Sequence, residues 1–382
     1  MRIFFVSKFD WLSSGPMSTV STIFTHAISC QKINITFVTQ CSEQCDTNHV
    51  LKNRFGLLPT PFFSMCIFRK KPLLRSSTLF YLKAAIYLLF KAEPTDIIYT
   101  RNSTFLPYLY IIKLFTRARA FFEAHGYHGN PDTAKRTISF SRYDIAEKLF
   151  LKRLDGICSL TEAMKNLFKK DFPDTPVCTL PLGVSVKSED FIINPESGFP
   201  RRRLCYIGRY NDNIDAKTVF KAISICKQYG VKLTWIGLTP SQRNALIQLA
   251  NSFEIISLVE LLPWLGYHQM CNTVKKVAGA GLVAYKDSFD SNIQISPTKL
   301  FDFFSFGLPV LASEVGAVKE IADKHFDEFL FQPGNADDLA LKIQTLFSSF
   351  KQYKRCCKVS LKLADQFSWE KRAQKFLSFI AP

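Results

Sequence analysis

The stretch SPTKLFDFFSFG, residues 296–307, combines signals for a helix start with groups that can bind an anion. Ser296 is a suitable N-cap, Pro297 suits the first helical position, and Gly307 suits a left-handed stop after the last turn. These signals predict a helix of about ten residues. Its first-turn amides, with the hydroxyls of Ser296 and Thr298, would offer hydrogen-bond donors and a partial positive charge to a phosphate.

Two charged side chains lie on the same predicted helix. Lys299 falls in the first turn, and Asp302 follows three residues later, so both belong to one face. The Asp302 carboxylate could accept two sugar hydroxyls while the helix end faces a phosphate. The alternative is a well-capped core helix that exposes an ordinary lysine and aspartate.

A second motif, IGRYNDNIDAK, places two cations at the edge of the same predicted domain. Arg209 ends a predicted strand, and Lys217 lies in the first turn of a helix that Asp215 is expected to cap. An arginine offers a planar fork and a lysine a point charge, so the pair could clamp a diphosphate. Neither residue is specific by itself.

In the first half of the chain, the motif FEAHG places Glu123 and His125 at the end of a predicted strand. His125 could contact a hydroxyl of a donor sugar. A histidine that follows a strand is more often a hydrogen-bonded turn residue, so this structural role remains open. Gly15 and Pro16 form a turn-rich loop after the first predicted strand.

Strand-length apolar runs alternate with helix-period segments from end to end, which predicts parallel sheets covered by helices. The predicted strands cover residues 2–7, 34–39, 96–99, 118–123, 156–160, 177–181, 204–208, 232–236, 282–285 and 309–312. A polar, irregular segment at 184–202 divides two similar halves. We therefore expect an α/β protein with Rossmann-like doubly wound domains at 1–195 and 196–365, and a terminal helix at 366–382 that returns to the first domain.

Composition excludes several classes of protein. With 382 residues, 47% hydrophobic and 21% charged, the chain can bury large cores and lacks the signature of disorder. Lys83 and Lys113 interrupt the two best candidates for a spanning helix, and the start MRIFFVSKFD lacks a secretory pattern, so we expect a cytoplasmic protein. Eleven cysteines without a paired CxxC spacing indicate reduced thiols rather than disulfides or zinc.

The net charge is +17, and one segment of the chain stands out by its charge. Residues 51–92 contain eight cations and no acidic residue, interleaved with aromatic side chains. The central cations of this segment are a candidate surface for anionic lipid headgroups, and they are Arg69, Lys70, Lys71 and Arg75. Nucleic acid is a rival partner for such a surface, and an ordinary solvated face is the structural alternative.

Taken together and in their order along the chain, nine motifs resemble those of the retaining GT-B glycosyltransferases of family 4. They are GPMST, FEAHG, LTEAMKNLF, LPLGV, IGR with Lys217, VELLPWL, SPTKLFDFFSFGLPVLAS, GAVKEI and FQPGNADDLA. The resemblance covers nearly the whole chain. It implies two Rossmann-like domains facing a central cleft, with a nucleotide-sugar donor on the C-terminal domain and the acceptor on the N-terminal domain.

The resemblance also implies roles for individual residues. Arg209 and Lys217 would hold the donor diphosphate, and Asp302 would grip the nucleotide ribose in place of the usual glutamate. Gln294 stands where the family has the first acid of its paired-glutamate motif. An amide adds no negative charge beside a developing oxocarbenium ion, so a neighbour such as Asp290 would have to substitute, or activity would be reduced.

The predicted function is transfer of a hexose-type sugar, with retention, from a UDP- or GDP-linked donor to a cell-envelope glycan or lipid-linked acceptor. It needs no metal, no other cofactor and no nucleic acid, and it would take place in the cytoplasm or on the inner face of the membrane. The predicted catalytic residues are His125, Arg209 and Lys217, and the predicted donor-binding residues are Gly15, Arg209, Lys217, Gln294, Ser296, Thr298, Lys299 and Asp302. A catalytically silent nucleotide- or glycan-binding protein and a sugar-nucleotide epimerase are the alternatives.

Overall fold

The computed structural model describes residues 1–13, 16–69, 77–129, 138–184, 189–322 and 326–381. The predicted site residues Gly15, Lys70, Lys71 and Arg75 lie outside the described residues. The chain divides into two compact units: an N-terminal unit of Met1–Leu182 with Trp369–Pro382, and a C-terminal unit of Gly183–Ser368.

The N-terminal unit is built on a parallel sheet with seven strands among the residues described. Its order is β3-β2-β1-β4-β5-β6-β7, so the direction of winding reverses between β1 and β4. The strands are β1 (Ile3–Asp10), β2 (Ile35–Cys41), β3 (Phe63–Arg69), β4 (Ile97–Thr100), β5 (Arg119–Ala124), β6 (Gly156–Ser159) and β7 (Val177–Thr179).

Helices connect these strands and cover the sheet. They are α1 (Pro16–Cys30), α2 (Thr47–Phe55), α3 (Ser77–Lys91), α4 (Leu106–Thr116), α5 (Ile138–Phe150), α6 (Glu162–Asp171) and the C-terminal helix α15 (Trp369–Ile380). Parallel strands need such crossovers because each strand must restart at the opposite end of the sheet. Helix α15 packs against α1, and Phe24 meets Phe376 with ring centroids 5.5 Å apart.

The C-terminal unit repeats the design. Its parallel sheet has six strands within the described ranges, in the order β10-β9-β8-β11-β12-β13. The winding reverses between β8 and β11. The strands are β8 (Arg203–Ile207), β9 (Lys232–Leu238), β10 (Val259–Pro263), β11 (Ala280–Val283), β12 (Val310–Ser313) and β13 (Leu330–Phe331).

Several helices of this unit begin at capping signals in the sequence. Asp215 accepts a hydrogen bond from the Thr218 amide at the start of α8, as predicted, and Thr239 forms a capping box with Gln242 at the start of α9. The helices are α7 (Pro195–Gly198), α8 (Ala216–Ile225), α9 (Pro240–Ser252), α10 (Tyr267–Val277), α11 (Thr298–Ser305), α12 (Gly316–Ala322), α13 (Ala336–Ser348) and α14 (Phe350–Gln366).

The predicted α/β class with two doubly wound sheets is confirmed. The divisions fall after Leu182 and Ser368, whereas the sequence placed them at 195/196 and 365/366. The irregular segment belongs to the C-terminal unit because it is held there: the Ile193 amide donates to the Phe306 carbonyl, and the Phe191 ring meets the Phe306 ring. Across the described part of the chain, no helix combines the length and the apolar character that crossing a bilayer requires.

Strands β3, β10 and β13 were not predicted. All three lie at sheet edges, where only one side of the strand is paired with another strand among the residues described. Most side chains of β3 and β10 are half-buried or exposed, so the sequence carries no long apolar run. The central strands, by contrast, are buried on both faces and read as continuous hydrophobic stretches.

Candidate functional site

The point where the winding reverses in the C-terminal sheet brings several predicted site residues to one edge. In open α/β sheets, ligands bind outside the carboxyl ends of the strands at this position. Strand β8 ends at Ile207 and is followed by Gly208 and Arg209, while its neighbour β11 ends at Val283. The chain after β8 therefore forms one wall of the crevice.

Gly208 is fixed tightly at this edge. Its amide donates to the Ile236 carbonyl at 2.8 Å, and its carbonyl accepts from the Trp235 indole at 2.9 Å. Its φ of 130° lies in the region that favours glycine. The next strand also has a glycine at the contact, because a Cβ on Gly237 would lie 3.2 Å from the Gly208 carbonyl carbon.

The aliphatic stem of Lys299 crosses directly over Gly208. A Cβ built on Gly208 would lie 2.6 Å from Lys299 Cε. The Lys299 ammonium is 5.5 Å from the centroid of the Tyr206 ring and 5.7 Å from that of Tyr285. Burial lowers the pKa of Lys299, but Tyr285, Tyr206 and the Asp302 carboxylate together raise it above its usual value. The structure thus places a charged ammonium between two aromatic walls at the carboxyl edge.

A first prediction follows for Gly208→Ala. The added methyl would displace the Lys299 side chain and strain the backbone, so we expect weaker binding of a nucleoside diphosphate together with a loss of stability of about 1–3 kcal/mol. Thermal shift with and without UDP measures both effects. Gly230→Ala is the matched control, since Gly230 also has a positive φ but open space around its Cα. Equal losses of UDP affinity in the two variants would contradict the role of the Gly208–Lys299 contact.

Arg209 and Lys217 lie at the two ends of the loop between β8 and α8. The middle of this loop is attached to the carboxyl end of β11: the Asp215 amide donates to the Ala284 carbonyl at 3.1 Å, and the Lys286 amide donates to the Asn213 carbonyl at 2.9 Å. Both cations are exposed. Neither has a hydrogen bond or ion pair with another residue of the described chain, so both charges are available to an anion.

Helix α11 begins differently from the prediction. Pro297 is the N-cap residue and makes no side-chain capping bond, and Thr298 is the first helical residue. The Ser296 carbonyl, rather than its hydroxyl, accepts from the Thr298 amide at 2.8 Å. The predicted Ser296 cap is therefore wrong: Pro297, with φ of −77° and ψ of 77°, forms an inverse γ-turn between Ser296 and Thr298, so the helix begins one position later than a Ser296 cap requires. Gly307 adopts the predicted left-handed conformation with φ of 66°.

The residues before α11 form a π-helical turn, Asp290–Gln294. The Gln294 amide donates to the Asp290 carboxylate at 2.9 Å, so an acidic group lies directly beside the position where the sequence lacks one. Asn292 anchors the turn, since its side-chain oxygen accepts from the Gly316 amide at 2.9 Å. A Cβ on Gly316 would lie 2.4 Å from the Asn292 carbonyl oxygen, so the turn can approach only a glycine here.

Asp302 is half-buried on α11. Its charge acts on Lys299, whose pKa it helps to raise, and on Tyr267 and Cys271 of α10. Burial is the main reason that the pKa of Cys271 rises to about 11, and the Asp302 carboxylate contributes further. The structure therefore brings Lys299 and Asp302 to one side of α11, as their spacing predicted.

In the N-terminal unit, His125 belongs to a buried polar network at the carboxyl end of β5. Its Nε2 is 2.5 Å from Glu123 Oε1, and its Nδ1 is 2.9 Å from an Arg101 guanidinium nitrogen. Because arginine only donates, Nδ1 accepts and Nε2 donates to the carboxylate. Arg372 of α15 donates to the other Glu123 oxygen at 3.0 Å, and the Tyr99 hydroxyl donates to the same atom.

Burial and the neighbouring charges fix the protonation states of this network. Burial, followed by the nearby Arg101 charge, lowers the pKa of His125 to about 4, so the imidazole is neutral at physiological pH. Burial alone would raise the pKa of Glu123, but Arg372, His125 and Arg101 hold it well below its usual range. Both ring nitrogens of His125 are thus hydrogen-bonded within the protein, which agrees with the structural role that the sequence left open. A contact between His125 and a donor sugar stays a prediction.

Sequence reasoning missed Arg101, Arg372 and Tyr99 in the N-terminal unit, and Tyr206 and Tyr285 beside Lys299. Arg101 follows β4 directly, at the point where the winding of the first sheet reverses, so its position after the run IIYT was the available signal. Arg372 gave no such signal, because only folding brings the terminal helix to Glu123. Arg69 is exposed at the end of β3.

The described parts of the chain contain no group of three or more histidine, cysteine, aspartate or glutamate side chains arranged to hold a metal ion. The cysteines described are free thiols.

Comparisons with known proteins agree with this architecture. Residues 191–360 match the family of glycosyl transferases group 1. No curated protein sequence matches the chain. Among solved structures, HepE from Anabaena in complex with UDP and glucose is 13% identical with a TM-score of 0.69, and the match covers 99% of this chain and 98% of that one.

Two further solved structures are similar over their whole length. A glycosyltransferase from Rickettsia africae is 14% identical with a TM-score of 0.71, covering 99% of this chain and 97% of that one. The lipopolysaccharide outer core galactosyltransferase WaaB is 15% identical with a TM-score of 0.67, and the match covers 100% of this chain and 99% of that one. These matches show the fold, which is GT-B as predicted.

Proposed function

From the membership of residues 191–360 in the group 1 glycosyltransferases, we propose that this protein transfers a hexose-type sugar, with retention, from a nucleotide-diphosphate sugar to an envelope glycan or lipid-linked acceptor. The observation that carries the proposal is the set of cations at the carboxyl edge of the C-terminal sheet. The Arg209 and Lys217 side chains are exposed without partners in the described chain, and Lys299 of α11 crosses over Gly208, next to Arg209 in the sequence.

The donor diphosphate is the ligand that fits this edge. Two phosphates bring two or more negative charges, which Arg209, Lys217 and Lys299 neutralise. The side chains of Arg209 and Lys217 have no ion pair in the described chain to break, whereas Lys299 already interacts with the Asp302 charge. The first turn of α11 adds the Thr298 hydroxyl and the positive end of the helix dipole. Structures of similar fold contain UDP or UDP-glucose, which supports a uridine nucleotide as the first donor to test.

Bond cleavage places growing negative charge on the leaving diphosphate. The three cations stabilise that charge and so lower the barrier, which is electrostatic catalysis rather than covalent catalysis. In the proposed retaining mechanism, the departing diphosphate oxygen removes the proton from the acceptor hydroxyl on the same face of the sugar. This mechanism requires positioning and charge neutralisation, and we propose that it proceeds without a metal.

The hydrogen bond from Gln294 to Asp290 places a carboxylate next to the position where the family motif has its first acid and this chain has Gln294. The amide orients toward the carboxylate, and the pair together offers both a donor and a negative charge. We propose that Asp290 supplies the charge that Gln294 lacks beside the developing oxocarbenium ion. Asp302, near Lys299, is the proposed partner of the nucleotide ribose.

Two observations support an acceptor in the cell envelope. One is the similarity to a lipopolysaccharide galactosyltransferase fold. The other is the excess of positive charge, with Arg69 exposed and Lys70, Lys71 and Arg75 following in sequence. Both fit an enzyme that works at the cytoplasmic surface of an anionic membrane.

The decisive experiment is a turnover assay with a panel of UDP, GDP and ADP sugars and membrane-extracted acceptor glycolipid. Transfer predicts release of free nucleoside diphosphate that depends on the acceptor, with the anomeric configuration of the product retained by NMR. Binding of nucleotide without release in any combination would identify the silent binding protein, for which Gln294 is the specific argument. Conversion of the donor without an acceptor would identify an epimerase.

A further inference from the structure

Three neighbouring helices of the N-terminal unit carry large apolar side chains on their outer surface. Helices α3, α4 and α5 contact one another in this order. They expose a set of aliphatic and aromatic residues that we call the apolar face, consisting of Leu82, Ile86, Leu89, Phe90, Ile111, Leu114, Phe115, Ile145 and Leu149. Phe90 is 85% exposed and Phe115 is 78% exposed. Contiguous apolar surface of this kind marks an interaction site in a soluble protein.

The spacing of these residues shows that α3 and α4 are each apolar on two sides. On α3 the exposed residues lie at 82, 86, 89 and 90, while the inward side buries Phe80, Tyr81, Ala84, Ala85 and Leu88. On α4, Ile111, Leu114 and Phe115 point outward, while Leu109 and Ile112 are buried. The inward side packs on the sheet, so the outward side is an additional surface that folding of this unit does not require.

The charges around the apolar face are mostly positive, and the exposed Glu93 after α3 is paired with Arg2 at 3.1 Å. Neither α3 nor α4 contains an acidic residue. Lys83 and Lys91 of α3 and Arg117 after α4 are exposed beside the apolar side chains. On α5, Asp144 is paired with Lys148 at 2.7 Å, so it leaves no free negative charge there. A cationic rim around an apolar surface matches an anionic lipid interface.

We propose that the apolar face inserts into the headgroup and acyl boundary of an anionic bilayer, with Phe90 and Phe115 as its principal anchors. Helix α3 has 15 residues, fewer than the ~20 that a spanning helix needs, so it lies along the membrane plane. A second copy of the chain fits this surface less well, because it would bring Lys83, Lys91 and Arg117 against the same cations.

This inference deepens the proposed function and rests on it only for the purpose of membrane binding. It assigns the membrane contact to α3–α5, with Lys83 and Lys91 of the basic segment 51–92 in the rim, rather than to the cations around Arg69. Docking through α3–α5 would hold the N-terminal unit at the bilayer, so that a lipid-linked acceptor could react without leaving the membrane.

The test is co-sedimentation with vesicles of phosphatidylglycerol and phosphatidylcholine in equal parts, and with vesicles of phosphatidylcholine alone. We expect the parent protein to bind the anionic vesicles and Phe90→Ser/Phe115→Ser to lower the partition coefficient at least tenfold. Leu341→Ser/Ile256→Ser is the matched control, since it removes two exposed apolar side chains from the C-terminal unit and should change nothing. Lys83→Gln/Lys91→Gln should reduce the preference for anionic over neutral vesicles.

Unchanged vesicle binding in Phe90→Ser/Phe115→Ser would overturn the proposal. The proposal would also be overturned if the parent protein did not bind vesicles but eluted as a dimer, and the Phe90→Ser/Phe115→Ser variant eluted as a monomer. The apolar face would then bind a second copy of the chain. Thermal shift with UDP on every variant verifies folding and separates the two proposals. If the variants change vesicle binding as expected but the protein responds to no nucleotide, the membrane-docking proposal stands and the proposed glycosyltransferase function is wrong.

Discussion

Replacing both Arg209 and Lys217 by alanine is expected to abolish the thermal stabilisation that the donor nucleotide gives to the parent protein. A ligand at a hundredfold excess over its dissociation constant stabilises by about 2.7 kcal/mol, and this whole effect should disappear. The unliganded melting temperature should stay nearly unchanged, because both side chains are exposed and have no partners in the described chain. Differential scanning fluorimetry with UDP, GDP and their sugars measures both quantities.

The single variants Arg209→Ala and Lys217→Ala measure how much each cation contributes to nucleotide binding. Each removes one charge-assisted contact to phosphate, for which about 1.5–3 kcal/mol is typical, so each should weaken binding at least tenfold. Lys221→Ala is a suitable control, since Lys221 is an exposed lysine one turn further along α8. A double variant that still responds to nucleotide like the parent would show that the diphosphate binds elsewhere.

Glu123→Gln is expected to destabilise the N-terminal unit by about 3–5 kcal/mol, which is the usual cost of removing one partner from a buried ion pair. The carboxylate pairs directly with Arg372 at 3.0 Å and interacts electrostatically with Arg101, and these arginines are only 5% and 8% exposed. Glutamine keeps the shape but leaves these two cations without a counter-charge. Because Arg372 lies on α15, the loss should loosen the terminal helix together with β5.

Hydrogen exchange on peptides from β5 and α15 measures this effect within the unit. We expect protection to fall in both peptides at once, since the ion pair joins them. The control is Glu260→Gln, which breaks an ion pair of 3.2 Å with Arg203 at a half-exposed position and should cost at most about 1 kcal/mol. Equal effects of the two substitutions would contradict the importance of burial for Glu123.

The same network predicts the direction of the pH dependence. The pKa of His125 is lowered to about 4, whereas an unfolded histidine titrates near ~6.5, so below that pH the unfolded chain takes up a proton that the folded unit does not. Stability should therefore decline by about 2 kcal/mol between pH 7.5 and pH 5. The lowered pKa of Glu123 acts at lower pH: its stabilisation is complete above ~4.3 and is lost as the pH falls further.

The central part of each sheet could be predicted from the sequence because physical constraints act locally there. A strand buried on both faces must be apolar along its length, and a helix start must satisfy its free amides. Strands β1, β4, β8 and β11, and the cap at Asp215, follow from these rules. Edge strand β3 did not, since its half-buried side chains leave no distinct pattern.

By itself, the sequence determined the doubly wound class, the cations Arg209, Lys217 and Lys299 and the absence of the motif acid at Gln294, because residue type and spacing along the chain contain that information. Only the tertiary structure decided that Lys299 crosses Gly208, that Asp290 lies against Gln294 and that Arg372 neutralises Glu123. Lys299 and Gly208 are separated by 91 positions in the sequence, and Arg372 and Glu123 by 249. The contact between Gln294 and Asp290 depends on a π-helical turn. Such contacts are set by how strands and helices pack, which no local pattern records.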